Sequence, residues 1–167
     1  MTAGFTLGKF APLHKGHQFL IESALANVDR LVVVIYACDE LPQCDVRTRA
    51  SWIARLYPQV DLVLASNGPK ETGYTPEIIA SQEQYLLGLL AEYRFDSFFS
   101  SEPYGEHISK AFSCRNVQVD CNRLQVPISA SMIRDNLPRY QDFLSPLVFN
   151  DLMNARAITL FNHKVES

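Results

Sequence analysis

The chain is 167 residues long, with 47% hydrophobic residues, 20% charged residues and a formal net charge of -3. That length can bury a core without metal or disulfide help, and the composition excludes a disordered chain. The acidic balance excludes a general nucleic-acid or anionic-membrane binder, yet leaves room for a basic pocket that takes a small anion.

Strand-like and helix-like patterns alternate along the chain. Residues 4–10 form a short apolar run ending at Ala11 and Pro12, and from Gly16 the residues Phe19, Leu20, Ala24 and Leu25 recur at helical spacing to about Val28. Residues 31–36 are apolar and β-branched without alternation, which predicts a strand covered on both faces. A helix over 48–56 and a strand over 60–65 follow. Residues 67–75 are a polar loop, and Pro76 suits the first turn of a helix running to about Arg94. Two further strands are predicted at 96–101 and 117–120 with a short helix between them. From Ser129 the chain reads as helical, interrupted near Pro138 and Pro146.

This alternation predicts an α/β fold: a Rossmann-like, doubly wound, five-stranded parallel sheet with a helical C-terminal segment. Residues 1–167 read as one domain, with 138–167 a helical extension of it. Ligands of such sheets sit beyond the carboxyl ends of the strands, where the topology switches. Cys38, Cys44, Cys114 and Cys121 form no CxxC pair and no metal-ligand spacing, and no signal peptide precedes the first strand. Reduced thiols in the cytoplasm are therefore expected. The longest apolar run, 31–37, is too short to cross a bilayer.

Two motifs follow strands. The first is Gly8-Lys9-Phe10-Ala11-Pro12-Leu13-His14-Lys15-Gly16-His17. Gly8 lets backbone approach a ligand, and Gly16 permits close contact at the helix start. His14 and His17, three apart at a helix N-terminus, can project toward one spot already favourable to an anion. A zinc pair is a further reading, but catalytic zinc recruits additional His, Cys or carboxylate ligands and none is evident nearby. A phosphate site is favoured, and no protein-held metal is expected. The second motif is Ile128-Ser129-Ala130-Ser131-Met132-Ile133-Arg134. Ser129 or Ser131 can cap the helix, and Arg134 offers a planar fork for phosphate oxygens. A capped helix with a solvent-facing arginine would explain this second motif taken alone.

Together the two motifs resemble the HxGH-type nucleotidyltransferase superfamily. Ser100-Ser101-Glu102-Pro103-Tyr104-Gly105, then Val119, Asp120 and Arg123, resemble one branch of it. That branch is the adenylyltransferase domain of bifunctional bacterial proteins that join nicotinamide mononucleotide adenylyltransferase to ribosylnicotinamide kinase. The similarity runs over about 4–148. No GxxxxGK[ST] loop is present, so kinase activity is not expected.

The resemblance implies transfer of AMP from ATP to nicotinamide mononucleotide, giving NAD and pyrophosphate by direct attack. It implies His14, His17 and Arg134 as catalytic residues, with Gly8, Lys9, Phe10, Gly16, Ser129 and Ser131 binding ATP. Magnesium is expected with ATP, held mainly by phosphates and water. Arg49 would bind the acceptor's phosphate and Trp52 would stack on its nicotinamide ring, although a core role explains Trp52 as well. Arg47 is a weaker phosphate candidate, with a solvated surface charge as its alternative. Ser101 and Glu102 stand on the right edge for adenosine or acceptor contacts, or form a simple strand-to-helix turn. Two alternative functions remain: adenylyl or cytidylyl transfer to phosphopantetheine, glycerol phosphate or a sugar phosphate, and a non-catalytic nucleotide sensor. Self-association into a homo-oligomer is allowed.

Overall fold

The computed structural model describes residues 1–103 and 105–166, so Tyr104 of the Ser100–Gly105 segment lies outside the described residues. Five strands alternate with helices as β1 (Ala3–Gly8), α1 (Lys15–Leu25), β2 (Arg30–Tyr36), α2 (Val46–Leu56), β3 (Asp61–Ala65), α3 (Pro76–Leu89), β4 (Ser97–Ser100), α4 (Gly105–Ala111) and β5 (Arg115–Gln118). Three helices follow: α5 (Ala130–Asp135), α6 (Leu137–Tyr140) and α7 (Pro146–Glu166), with a single 3₁₀ turn at Gln141–Phe143. All pairings are parallel and the strand order is β3-β2-β1-β4-β5. This is the doubly wound Rossmann-like arrangement, and its switch point lies between β1 and β4.

β2 is the clearest case of sequence dictating structure. Leu31, Val33 and Ile35 face one core cluster, which Leu20, Ile21, Trp52, Ile53, Val148 and Leu152 complete from α1, α2 and α7. Val32 and Val34 face the other cluster, with Leu86, Leu90 and Ile108 on and around α3 and α4. A strand apolar at every position thus has helices over both faces. The breaks at Pro138 and Pro146 also hold: each proline stands in the first turn of a helix, where no amide hydrogen is needed.

Strand ends depart from the pattern for identifiable reasons. β1 stops at Gly8 because Phe10 takes a left-handed backbone, φ 50°. β5 lies two residues earlier than its apolar stretch suggests, since Asp120 (φ 51°) turns the chain away. α2 begins at Val46 because the Asp45 carboxylate accepts the Thr48 amide at 2.8 Å. α3 ends at Leu89, short of Arg94.

Candidate active site

A cleft of about 990 Å³ opens at the carboxyl edge of the sheet. Its walls come from the end of each strand and the segment after it: Gly8 and Lys9 at β1, Ala37 and Cys38 after β2, Ser66 after β3, Ser101 and Glu102 after β4, and Asp120 after β5. The long crossover from β3 to β4 carries the chain across β1. The loops on either side of β1 therefore diverge and leave a crevice.

The start of α1 forms the floor. His14 is the N-cap, and its Nδ1 accepts the amides of Gly16 (3.0 Å) and His17 (3.3 Å). His17 returns the arrangement, its Nδ1 accepting the His14 amide at 3.2 Å. Both Nδ1 atoms are thus unprotonated acceptors, which leaves Nε2–H as the donor of each neutral ring. The rings stack with centroids 3.7 Å apart and planes 19° apart. Burial, helped by the charge of Arg123, lowers the His14 pKa to about 4. Burial foremost, then His14 and Arg123, holds His17 well below the ordinary histidine value. Gly16 makes this packing feasible, since a Cβ there would lie 2.8 Å from His14 Cε1.

The late motif reaches the same cleft from the other side of the chain. Ser129 caps α5, its Oγ accepting the Met132 amide at 3.3 Å and lying 3.1 Å from Ser131 Oγ. Arg134 donates from Nη1 to the Ala11 carbonyl at 2.7 Å, which ties the guanidinium to the loop carrying the histidines. His14, His17, Ser129, Ser131 and Arg134 all line one cleft, as do Gly8, Lys9, Phe10 and Gly16. Lys9 is ion-paired with Glu40, whose carboxyl this hydrogen bond holds down to about 2. Ser101 and Glu102 also line the cleft, and Ser101 Oγ donates to the Val119 carbonyl at 2.6 Å.

Arg49, Trp52 and Arg47, the residues expected at the acceptor, are not among those that line the cleft. Arg49 is 1% exposed, and its guanidinium donates to the carbonyls of Lys9, Tyr36 (2.8 Å) and Cys44 (3.1 Å). With those carbonyls to satisfy, it braces the chain at the ends of β1 and β2. Trp52 is fully buried, its indole nitrogen donating to Asp151 Oδ2 on α7 at 2.8 Å. Its ring belongs to the core of the α1–α2–α7 layer, and the core reading of Trp52 prevails. Arg47 is exposed and lies off the cleft wall.

Arg123 is the site residue to which sequence reasoning assigned no role. It lines the cleft, adopts φ 53°, and places Nη2 3.8 Å from Glu102 Oε1. Its loop is shaped by Asp120, whose carboxylate accepts the amides of Leu124 (2.7 Å), Gln125 (2.9 Å) and Val126 (2.9 Å). The signal was an Asp-x-x-Arg spacing just after a strand, visible only as part of a motif.

Among the described residues no three His, Cys, Asp or Glu cluster as a metal site. The cleft carboxylates are dispersed: Glu40 is paired with Lys9, Glu102 with Arg123, and Asp120 is engaged by amides.

A parallel sheet with two helix starts at its switch-point crevice is a Rossmann-like fold with its ligand cleft in the expected place. The profile of the cytidylyltransferase-like family matches residues 5–136, and the chain belongs to that family. The trifunctional NAD biosynthesis/regulator protein NadR of Escherichia coli strain K12 is 25% identical over 86% of this chain and 38% of its own length. The crystal structure of NadR protein in complex with NAD and AMP-PNP superposes with a TM-score of 0.64 at 19% identity, over 87% of this chain and 45% of that one. A bifunctional NMN adenylyltransferase/ADP ribose pyrophosphatase from Francisella tularensis gives 0.65 at 15% identity, over 92% and 49%. The chain thus spans about half or less of these relatives. Among the described residues no helix is long and apolar enough to cross a membrane.

Proposed function

We propose that the chain is a nucleotidyltransferase that transfers AMP from ATP to nicotinamide mononucleotide, releasing pyrophosphate and forming NAD. The observation that carries this reading is the convergence, in one cleft, of His14 and His17 at the start of α1 with Arg134 of α5. Relatives that bind NAD and AMP-PNP, or are named as NMN adenylyltransferases, support the choice of substrates.

In the step itself, a phosphate oxygen of the acceptor attacks the α-phosphorus of ATP. The bond from that phosphorus to the bridging oxygen breaks, and its electron pair leaves with pyrophosphate. No covalent enzyme intermediate forms. Catalysis then rests on positioning and on stabilising charge over the phosphoryl oxygens. The neutral Nε2–H groups of His14 and His17 donate to the α- and β-phosphate oxygens. Arg134, with Ser129 and Ser131, holds the β- and γ-phosphates, and Lys9 adds positive charge once it leaves Glu40. Ser101 contacts the adenosine or the acceptor, and Glu102 lines the same wall. A magnesium ion brought in with ATP, held mainly by its phosphates and water, would neutralise phosphate charge.

A coupled assay for NAD from ATP and nicotinamide mononucleotide tests this reading. Pyrophosphate release with this pair, and not with CTP or with phosphopantetheine, glycerol phosphate or a sugar phosphate, is the expected result. Turnover with a different pair would retain the transfer chemistry and replace the substrates. Binding of ATP or NAD without any pyrophosphate release would make the chain a sensor.

A further inference from the structure

Two cations of the cleft have a recognisable occupation. Lys9 is paired with Glu40, and Arg134 is bonded to the Ala11 carbonyl while keeping further donors for a ligand. Arg123 is different. It lines the same cleft as the stacked histidines, on a loop that has no regular secondary structure. Its contact with Glu102 is long, 3.8 Å, and both side chains are about half exposed (49% and 46%). An exposed pair of that geometry contributes little stability.

Yet the surroundings of this weak pair are built with care. Asp120 holds the base of the Arg123 loop through three amides at 2.7–2.9 Å, and the Arg123 amide itself donates to the Asp120 carbonyl at 2.8 Å. Both Asp120 (φ 51°) and Arg123 (φ 53°) hold left-handed backbones, which non-glycine residues adopt at some cost. On the Glu102 side, Ser101 Oγ donates to the Val119 carbonyl at 2.6 Å, which stitches the loop after β4 to the end of β5. The loop is therefore pre-organised while the ion pair at its tip is loose. A firm base under an easily exchanged charge suits a ligand better than it suits a structural clasp.

We propose that Arg123 is a phosphate ligand of this cleft and that Glu102 is its counter-ion in the empty state, displaced when a phosphate group enters. The inference rests on the nucleotidyl-transfer reading and adds a residue to its binding set. Its chemistry is that of a guanidinium exchanging one oxyanion for another: the carboxylate at 3.8 Å gives way to a phosphate that accepts shorter, charge-assisted hydrogen bonds. The proximity of the Arg123 charge to the imidazoles, felt in the depressed His14 pKa, supports the placement. Glu102 then works against anion binding and keeps the empty cleft from holding stray anions tightly.

The test uses the full chain with ATP, inorganic pyrophosphate and nicotinamide mononucleotide each titrated alone by calorimetry, for the unchanged protein, Arg123→Gln and Glu102→Gln. Arg123→Gln should weaken binding of at least one probe roughly ten- to hundredfold. Glu102→Gln should tighten binding of that same probe about two- to fivefold. The probe affected identifies the source of the phosphate: ATP and pyrophosphate together indicate the nucleotide's polyphosphate, and nicotinamide mononucleotide alone indicates the acceptor. A structural clasp predicts changes of the same sign, because either substitution opens it. Same-sign changes, or none, in a protein that binds the probes overturn the Arg123 assignment and leave nucleotidyl transfer standing. Failure of the unchanged protein to bind any of the three removes both.

Discussion

His14 and His17 have two duties that side-chain chemistry keeps separate. Each Nδ1 accepts backbone amides and so caps α1, while each Nε2–H is left for a ligand. Replacing His17 with Ala should lower turnover by several orders of magnitude with little change in far-ultraviolet dichroism. Near-normal turnover would take His17 out of the mechanism. His14→Asn keeps a good N-cap acceptor but loses the far ring nitrogen, so its melting temperature should stay close to the parent's while its rate collapses. Burial also sets the pH response. With the His14 pKa lowered to about 4, the ring is neutral in the folded protein throughout the ordinary working range. The unfolded chain, with a histidine pKa near 6.5, takes up a proton that the native state refuses. Stability should therefore fall as pH drops from about 6.5 to about 4, by on the order of 3 kcal/mol from this group. Denaturant titrations at a series of pH values check the sign; stability rising on acidification would refute it.

At the scale of elements, α2 illustrates how a helix next to a site can serve it without entering it. The helix itself was legible in the sequence, but its start after Asp45 and the direction of Arg49 and Trp52 were not. Arg49 points inward because three carbonyls, of Lys9, Tyr36 and Cys44, converge on it from loops distant in sequence. Trp52 points inward because Asp151 of α7, 99 positions away, completes its hydrogen bond. Trp52→Ala should cost about 3–5 kcal/mol and lower the melting temperature, with any ATP and acceptor affinity that survives changed to the same degree. A selective loss of acceptor binding at unchanged stability would return Trp52 to the acceptor site. The α1 start makes a complementary case. Gly16→Ala should damage activity far more than a glycine-to-alanine change at an open helical position, because its Cβ would press on the His14 ring from 2.8 Å. Comparison with Gly88→Ala, where a Cβ meets nothing within 4 Å, isolates that effect: Gly88→Ala should be stabilising by up to about 1 kcal/mol.

For the whole molecule, the sheet order places two helix starts that are far apart in the chain at one crevice, and a ligand bound there should tie the two halves of the sheet together. ATP at a hundredfold excess over its Kd should raise stability by about 2.7 kcal/mol, seen as an increase of several degrees in the melting temperature. The increase should vanish in Arg134→Ala if the late motif holds the triphosphate; an undiminished increase would place ATP elsewhere.

What the sequence alone determined follows from periodicity and local chemistry. The β2 run, apolar on both faces, demanded helices on both sides. The alternation of strand and helix then required parallel crossovers, and the paired histidines and Ser-x-Ser-x-x-Arg segment announced an anion site after strands. These features depend on neighbours within one or two turns, so a linear pattern carries them. Only the tertiary structure decided that the Arg49 and Trp52 side chains are buried among partners of their own, that β1 and β5 end two residues before left-handed residues, and that Arg123 shares the cleft of the histidines. Those outcomes depend on hydrogen bonds and burial shared between segments remote in sequence, where the free energy of a side chain's direction resides in partners that no local pattern names.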